Sequence, residues 1–357
     1  MKIGIIGLPQ AGKKTLFKAL TGYVLSEKDK ISNKPVKSLA EIKDTRFDKL
    51  SELYKPQKQV RARIDIELLS KIGEDAELNA KIFENAADLD AVCYVVRTFK
   101  DDTVYHVKGS VEPKRDIDFV NSELILNDLL FIEKRFERIN KSLKVKQEKV
   151  LAEEKELLGK LKEQLDKELP LRLLALEENE RRIISSYPFI TQKKMIVVLN
   201  VSENDINNTA LRDGLKQEYK RLDVDIMQVS AQIEAEISGL EVENEKKEFL
   251  EALDIKEPAI NLLTGLCIRA LNLISFFTVG SDEVRQWTIK TGSSAPEAAG
   301  AIHSDMERGF IRAEVVKFDD LMELGDEKKV KEAGKFYLKG KDYIVEDGDI
   351  IGIRFNV

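Results

Sequence analysis

Cysteine, histidine and tryptophan are scarce: the 357 residues hold two Cys, two His and one Trp. Cys93 and Cys267 both sit in apolar runs, which favours buried structural thiols over a disulfide or a metal site. With only His106 and His303 to add, a zinc cluster is excluded as well. No apolar run approaches the roughly 18–20 residues that a membrane span needs, so no membrane partner is expected. The stretch from Ile3 to Leu8 is short and runs into a glycine turn, unlike a signal peptide, so a cytoplasmic protein is expected. A strong positive charge is also missing. The net charge of -6 excludes a polycation that coats nucleic acid with its whole surface, although a local basic face stays open.

What is present is an alternation of strand and helix patterns. Residues 2–6 read as a buried strand and residues 61–69 as an alternating one. Residues 91–96 and 195–199 are short apolar runs of the kind buried in parallel sheets, and 223–229 adds another strand. This predicts a doubly wound α/β domain. From Leu129 to Pro170 the texture changes. Ile132, Phe136, Ile139 and Leu143, then Leu158, Leu161 and Leu165, fall at helical spacing among Lys and Glu. Two long helices joined near Ser142 to Glu148, the second stopped by Pro170, make a hairpin. It serves either as a solvated arm or as a docking arm for a large partner. Beyond Leu271, residues 276–279 and 284–289 read as strands, and Ala295 to Glu307 as a helix capped by Ser293 or Ser294. Residues 343–345 and 350–355 read as a hairpin turning at Asp347-Gly348. The expected division is 1–128 plus 188–270 for a nucleotide-binding domain, 129–187 for the helical insert, and 271–357 for a small β-grasp-like domain.

The chemistry centres on Gly7-Leu8-Pro9-Gln10-Ala11-Gly12-Lys13, which follows a strand and opens a helix, as a P-loop does. Its backbone amides and the helix N-terminus attract phosphate, and Lys13 reaches toward the β- and γ-phosphates. The next position normally carries Ser or Thr for Mg²⁺, but here it is Lys14. Thr15 lies about 100° further round the helix and cannot simply inherit the metal. Phosphate binding is therefore expected, while Mg²⁺-assisted hydrolysis is in doubt.

The run from Lys2 to Gly22 resembles the P-loop and first helix of the YchF/Obg-like ATPases. The likeness continues in residues 101–109, 113–117, 121–124, 200–203 and 230–236, and is densest from Phe277 to Val357. The chain is identified as a divergent member of that family. The resemblance implies a P-loop NTPase doubly wound sheet, an inserted α-helical hairpin and a C-terminal TGS-like β-grasp domain. It implies a purine nucleotide, ATP in preference to GTP, and a ribosome or RNA partner reached through the TGS-like domain and the helical arm. Pro9, Gln10, Ala11, Gly12, Lys13, Lys14 and Thr15 would take the phosphates, and Asn200, Val201, Glu203, Ser230 and Ala231 the base. Asn200-Val201-Ser202-Glu203 stands where guanine readers carry Asn-Lys-x-Asp. The Asp that accepts from guanine N1 and N2 is thus replaced by a longer carboxylate. The resemblance also gives His106 a role in positioning the attacking water, against the alternative of a hydrogen-bonded loop histidine.

Three departures stand out. Lys14 replaces the metal-binding hydroxyl. The Asp-x-x-Gly segment reads Asp65-Ile66-Glu67-Leu68, which keeps Asp65 for a metal-bound water but loses the glycine. The stretch from Leu25 to Val36 lacks the family's switch threonine. Turnover is accordingly expected to be slow or absent, with Lys13 and His106 as the catalytic candidates. A pseudo-NTPase scaffold, or a competent ATPase in which Lys14 replaces part of the metal charge, are the alternatives. In the C-terminal domain Arg285, Lys290, Arg308, Arg312, Lys317 and Lys341 interleave with Trp287 and Phe310. That mixture suits either RNA contact or, for the aromatics, an ordinary core.

Overall fold

A computed structural model describes residues 1–356 apart from 33, 146–148 and 241. The last three residues of the expected helical joint, one residue of the 25–36 stretch and Val357 therefore lie outside the described residues. The strands are β1 (Lys2–Ile6), β2 (Val36–Glu41), β3 (Lys58–Val60), β4 (Arg63–Leu68), β5 (Ala91–Arg97) and β6 (Lys194–Asn200). They continue as β7 (Val224–Val229), β8 (Leu273–Thr278), β9 (Glu283–Lys290), β10 (Phe310–Lys317), β11 (Phe336–Lys339) and β12 (Asp349–Phe355). Two compact units emerge, residues 1–39 with 65–260, and residues 40–64 with 261–357.

The first sheet has the order β2-β4-β1-β5-β6-β7. β1 is parallel to β4 and β5, β5 to β6, and β6 to β7. Parallel strands with crossover helices are covered on both faces, which explains continuous apolar runs instead of alternation. Every residue of β5 is buried, and so is all of β6 after Lys194. Ile6, Tyr94, Val197 and Leu199 share one core cluster there. Because these strands run the same way, Ile6, Leu68, Arg97, Asn200 and Val229 end at one edge of the sheet. That is the edge where open α/β sheets bind ligands.

The insert is formed by helices Pro113–Val145 and Lys149–Asp166. Ile132, Ile139, Leu158, Leu161 and Leu165 are buried together, with Phe136 and Leu143 packed against them. The first helix starts well before the expected Leu129. Pro113 supplies a preset φ at the first helical position and Asp116 an acidic first turn, both favourable starts. Glu154, buried in this hairpin, is held by Arg135 Nη2 at 2.8 Å.

The second unit holds a mixed sheet ordered β11-β10-β12-β8-β9-β3. β8 and β9 form an antiparallel pair, β12 lies parallel to β8, and β10 antiparallel to β12. Helix Ala295–Ile302, with a capping box between Ser294 and Glu297, packs Ala295, Ala298 and Ala299 against Phe276 and Val315. This is the β-grasp arrangement. The expected hairpin between residues 343–345 and 350–355 does not form. Residues 350–355 pair with β10 instead. Asp349 Oδ2 accepts from the Glu346 amide at 2.9 Å and the Tyr343 hydroxyl at 2.7 Å, and these bonds curl the chain into a turn. Residues 40–64, grouped by sequence with the nucleotide domain, cluster with this unit. β3 pairs with β9, and Phe47 and Leu50 join Phe277, Val284 and Val316. Among the described residues, no helix is long and apolar enough to cross a membrane.

Candidate functional site

β1 delivers the chain into the loop at Gly7, whose φ is +151°. A Cβ there would lie 2.5 Å from the Val95 carbonyl oxygen. At Gly12, with φ +94°, a Cβ would lie 2.1 Å from Asn200 Nδ2. Both positions therefore exclude a side chain, by conformation and by space. Helix Lys13–Thr21 then begins, with the Leu16 amide bonded to the Gly12 carbonyl at 3.0 Å. A cavity of about 620 Å³ opens over the loop. Pro9, Gln10, Ala11, Gly12, Lys13, Lys14 and Thr15 line it, together with Ser32, residues 68–71, Phe99 and Val104.

Lys13 is buried, and its Nζ donates to the carbonyl oxygens of Gly7 and, at 3.0 Å, Leu8. Burial, then the charges of Lys14 and Lys71, bring its pKa down to about 7. A phosphate oxygen in the cavity would offset all three causes at once, since it supplies the opposite charge.

Asn200 is also buried, and its role is structural in the first instance. Its Nδ2 donates to the Ala11 carbonyl at 3.0 Å, and its Oδ1 accepts from the Ala231 amide at 3.0 Å. Its own carbonyl accepts from the Thr98 hydroxyl at 2.8 Å. One side chain thereby ties the loop to the end of β7. Val201 and Ala231 are buried beside it, and Ser230 caps helix Ala231–Gly239. Glu203 is exposed in a short 3₁₀ turn, Glu203–Asp205. None of these five residues lines the phosphate cavity.

Asp65 is not where the sequence placed it. β1 and β4 pair in register with Lys2 opposite Asp65 and Ile5 opposite Leu68. Asp65 therefore lies three residues back from the end of β4, roughly 10 Å from the loop edge at about 3.3 Å per residue. It is half exposed and faces the terminal amine of Met1 at 3.4 Å. At that register Asp65 stays outside the cavity lining. His106 is buried and does not line the cavity. Its Nδ1 accepts from the Lys108 amide at 3.1 Å. Its Nε2 lies 2.9 Å from Asp116 Oδ2, close enough for an ion pair yet off the axis of a hydrogen bond, so that oxygen has no aligned donor.

The donor set does not suit Mg²⁺. That ion is usually held by one or two carboxylates beside the substrate's phosphates. The cavity lining contains no carboxylate, and it contains three lysines. Among the described residues there is no cluster of three or more His, Cys, Asp or Glu that would hold a metal. Hydroxyls of Thr15, Ser32 and Ser70 are present in the lining, but they share it with Lys14 and Lys71.

Sequence reading missed Lys71, Phe99 and Val104 as cavity residues. It also missed Arg97, which is buried at the end of an otherwise apolar strand. A charge ending such a strand was the available signal. Its guanidinium donates to the carbonyls of Phe99 at 3.2 Å, Asp101 at 3.1 Å and Val104 at 2.9 Å, holding the loop that carries the cavity wall.

The sequence has clear relatives. A family model named YchF-GTPase_C, described as "Protein of unknown function (DUF933)", matches residues 273–356. The chain is 40% identical over 363 residues to the "Ribosome-binding ATPase YchF" of Bacillus subtilis, covering 99% of each. It is 39% identical to the protein of that name from Haemophilus ducreyi over 362 residues, covering 100% of this chain and 99% of the other. In three dimensions it matches the Schizosaccharomyces pombe YchF GTPase with a TM-score of 0.85 at 31% identity, covering 99% of this chain and 97% of that one. Full-length identity at this level, on a β-grasp unit and a P-loop sheet of the same architecture, makes this chain a member of the YchF family.

Proposed function

We propose that the protein binds a purine nucleoside triphosphate over the loop from Pro9 to Thr15, prefers ATP to GTP, turns it over slowly or not at all, and works in association with the ribosome. The observation that carries this reading is the strand-fed loop cavity lined by Lys13, Lys14 and Lys71, with Asn200 fastening the loop from below. Positive potential and backbone donors at a helix N-terminus select a polyphosphate. Asn200, Val201, Ser230 and Ala231 form the corner beside the loop where the base would rest. Glu203 supports the ATP preference, because the guanine-reading Asp is absent from that motif.

Slow turnover is supported by position. Asp65 lies mid-strand in β4, three residues short of the loop edge, and Leu68 at that edge brings no carboxylate to the cavity. His106 must leave Asp116 before it can orient a water. Phosphoryl transfer needs charge neutralisation and a placed water together. A pseudo-NTPase interaction scaffold is favoured as the second reading by the same three placements. Ribosome association comes from the relatives named ribosome-binding ATPases. Of the candidate RNA-contact aromatics, Phe310 is buried in the second unit's core. Trp287 is partly buried there, with Nε1 bonded to Thr278 Oγ1 at 3.1 Å.

The test is competitive nucleotide binding by calorimetry with ATP and GTP, alongside steady-state phosphate release and co-sedimentation with ribosomes. A clear GTP preference, or rapid turnover abolished by Lys13→Ala, would overturn the corresponding part.

A further inference from the structure

We propose that Lys14 and Lys71 together take the place of the divalent cation at this phosphate site, so that the protein recognises metal-free nucleoside triphosphate. This rests on the nucleotide reading above and adds Lys71, a residue outside the loop.

The placement of Lys71 is built into the backbone. Beyond β4, the Leu69 amide donates to the Ile5 carbonyl at 3.0 Å, and the Ile72 amide to the Gly7 carbonyl at 3.2 Å. Ile72 is fully buried and anchors the segment. Lys71 is thus held between two bonds to β1 and the start of the P-loop, with its side chain exposed and lining the cavity. Lys14 reaches the same cavity from the first turn of the helix, also exposed. It leaves that helix about 100° round from Lys13, so the ammonium groups approach a ligand from different directions.

Two ammonium charges equal the charge of one Mg²⁺, and no carboxylate in the lining cancels them. A triphosphate held by Lys13, Lys14 and Lys71 therefore carries the same net charge as one held by Lys13 and a magnesium ion. The depressed pKa of Lys13 is consistent with this. Three lysines share one cavity, and burial together with its two neighbours brings the pKa of the innermost down to about 7. A nucleotide already chelated by Mg²⁺ has less negative charge to offer, and its metal must sit against Lys14 and Lys71. Metal-bound nucleotide should bind more weakly than the free anion.

The experiment is titration of the full-length protein with ATP by calorimetry, once in excess EDTA and once in excess Mg²⁺. Wild type should bind more tightly in EDTA than in Mg²⁺, and equal affinity in the two overturns the inference. Lys14→Ser and Lys71→Ser should each weaken binding in EDTA by about tenfold, the scale of one charge-assisted contact. The double variant should bind more tightly with Mg²⁺ than with EDTA, reversing the wild-type order. Loss of wild-type binding in EDTA with binding retained in Mg²⁺ overturns this inference and leaves the nucleotide reading standing. Absence of binding in both conditions overturns both. Tight EDTA binding that is indifferent to Lys14→Ser and Lys71→Ser removes these two residues from the role. Both side chains are exposed, and thermal melts of the variants verify that each is folded.

Discussion

The two ends of the nucleotide site are built by different means. At the Asn200 end, buried atoms are matched one to one: Nδ2 with Ala11, Oδ1 with Ala231, and a glycine that leaves just enough room. At the Lys71 end, exposed charges of one sign face a common space without a fixed partner among the cavity's lining. The first end is specified by packing, where any change disturbs several neighbours. The second is specified by charge, and charge can be rearranged without disturbing a core. Lys14 and Leu68 both line the cavity at this second end.

The largest effect should come from breaking the packed end. Asn200→Ala leaves the Ala11 carbonyl and the Ala231 amide buried without partners, at about 1–3 kcal/mol for each group. Chemical denaturation should show that loss of stability, and ATP binding should fall with it. An unchanged midpoint would mean the loop is held by something else. Next in size is Lys13→Ala, which removes a charge-assisted contact worth about 1.5–3 kcal/mol, read as a 10- to 100-fold weaker dissociation constant for ATP.

The charged end should also respond to pH. In the free protein Lys13 loses its proton near pH 7, and bound phosphate favours the protonated form. Its pKa must rise on binding, so affinity is greatest below about pH 7. Above that it falls by up to about tenfold per pH unit, with one proton taken up per nucleotide. Calorimetry in buffers of different ionisation enthalpy measures that proton directly; no uptake at pH 8 would show that Lys13 is already charged. The smallest effect should be Glu203→Asp, which shortens an exposed carboxylate and shifts selectivity a few-fold toward GTP. Competition between the two nucleotides reads it out, and a shift toward ATP would exclude Glu203 from base reading.

The P-loop was legible because motif and context agree, a buried strand before it and a helix after it. Asn200 was legible as a position, but its job of fastening the loop depends on Ala11 and Ala231, which are distant in sequence. Asp65 misled because a spacing pattern carries no register. Only the pairing of Ile5 with Leu68 reveals that Asp65 sits too far back. Lys71 was hidden for the same reason, since its place depends on the Ile72-to-Gly7 bond. The pairing of Lys58 with Glu283 spans most of the chain, and no local signal marks residues 40–64 as part of the β-grasp unit. The helix start at Pro113 was readable but was masked by the change of composition that begins later.

Arg97 has a mechanical consequence. By gripping the carbonyls of Phe99, Asp101 and Val104 with one rigid fork, it turns the segment leading to His106 into a lever with a fixed arm. Val104 forms cavity wall, and His106 sits two residues on in its niche beside Asp116. Because Arg97 is itself buried at the end of β5, the cavity wall at Val104 is anchored to the sheet and shifts only if that strand end shifts or the fork lets go.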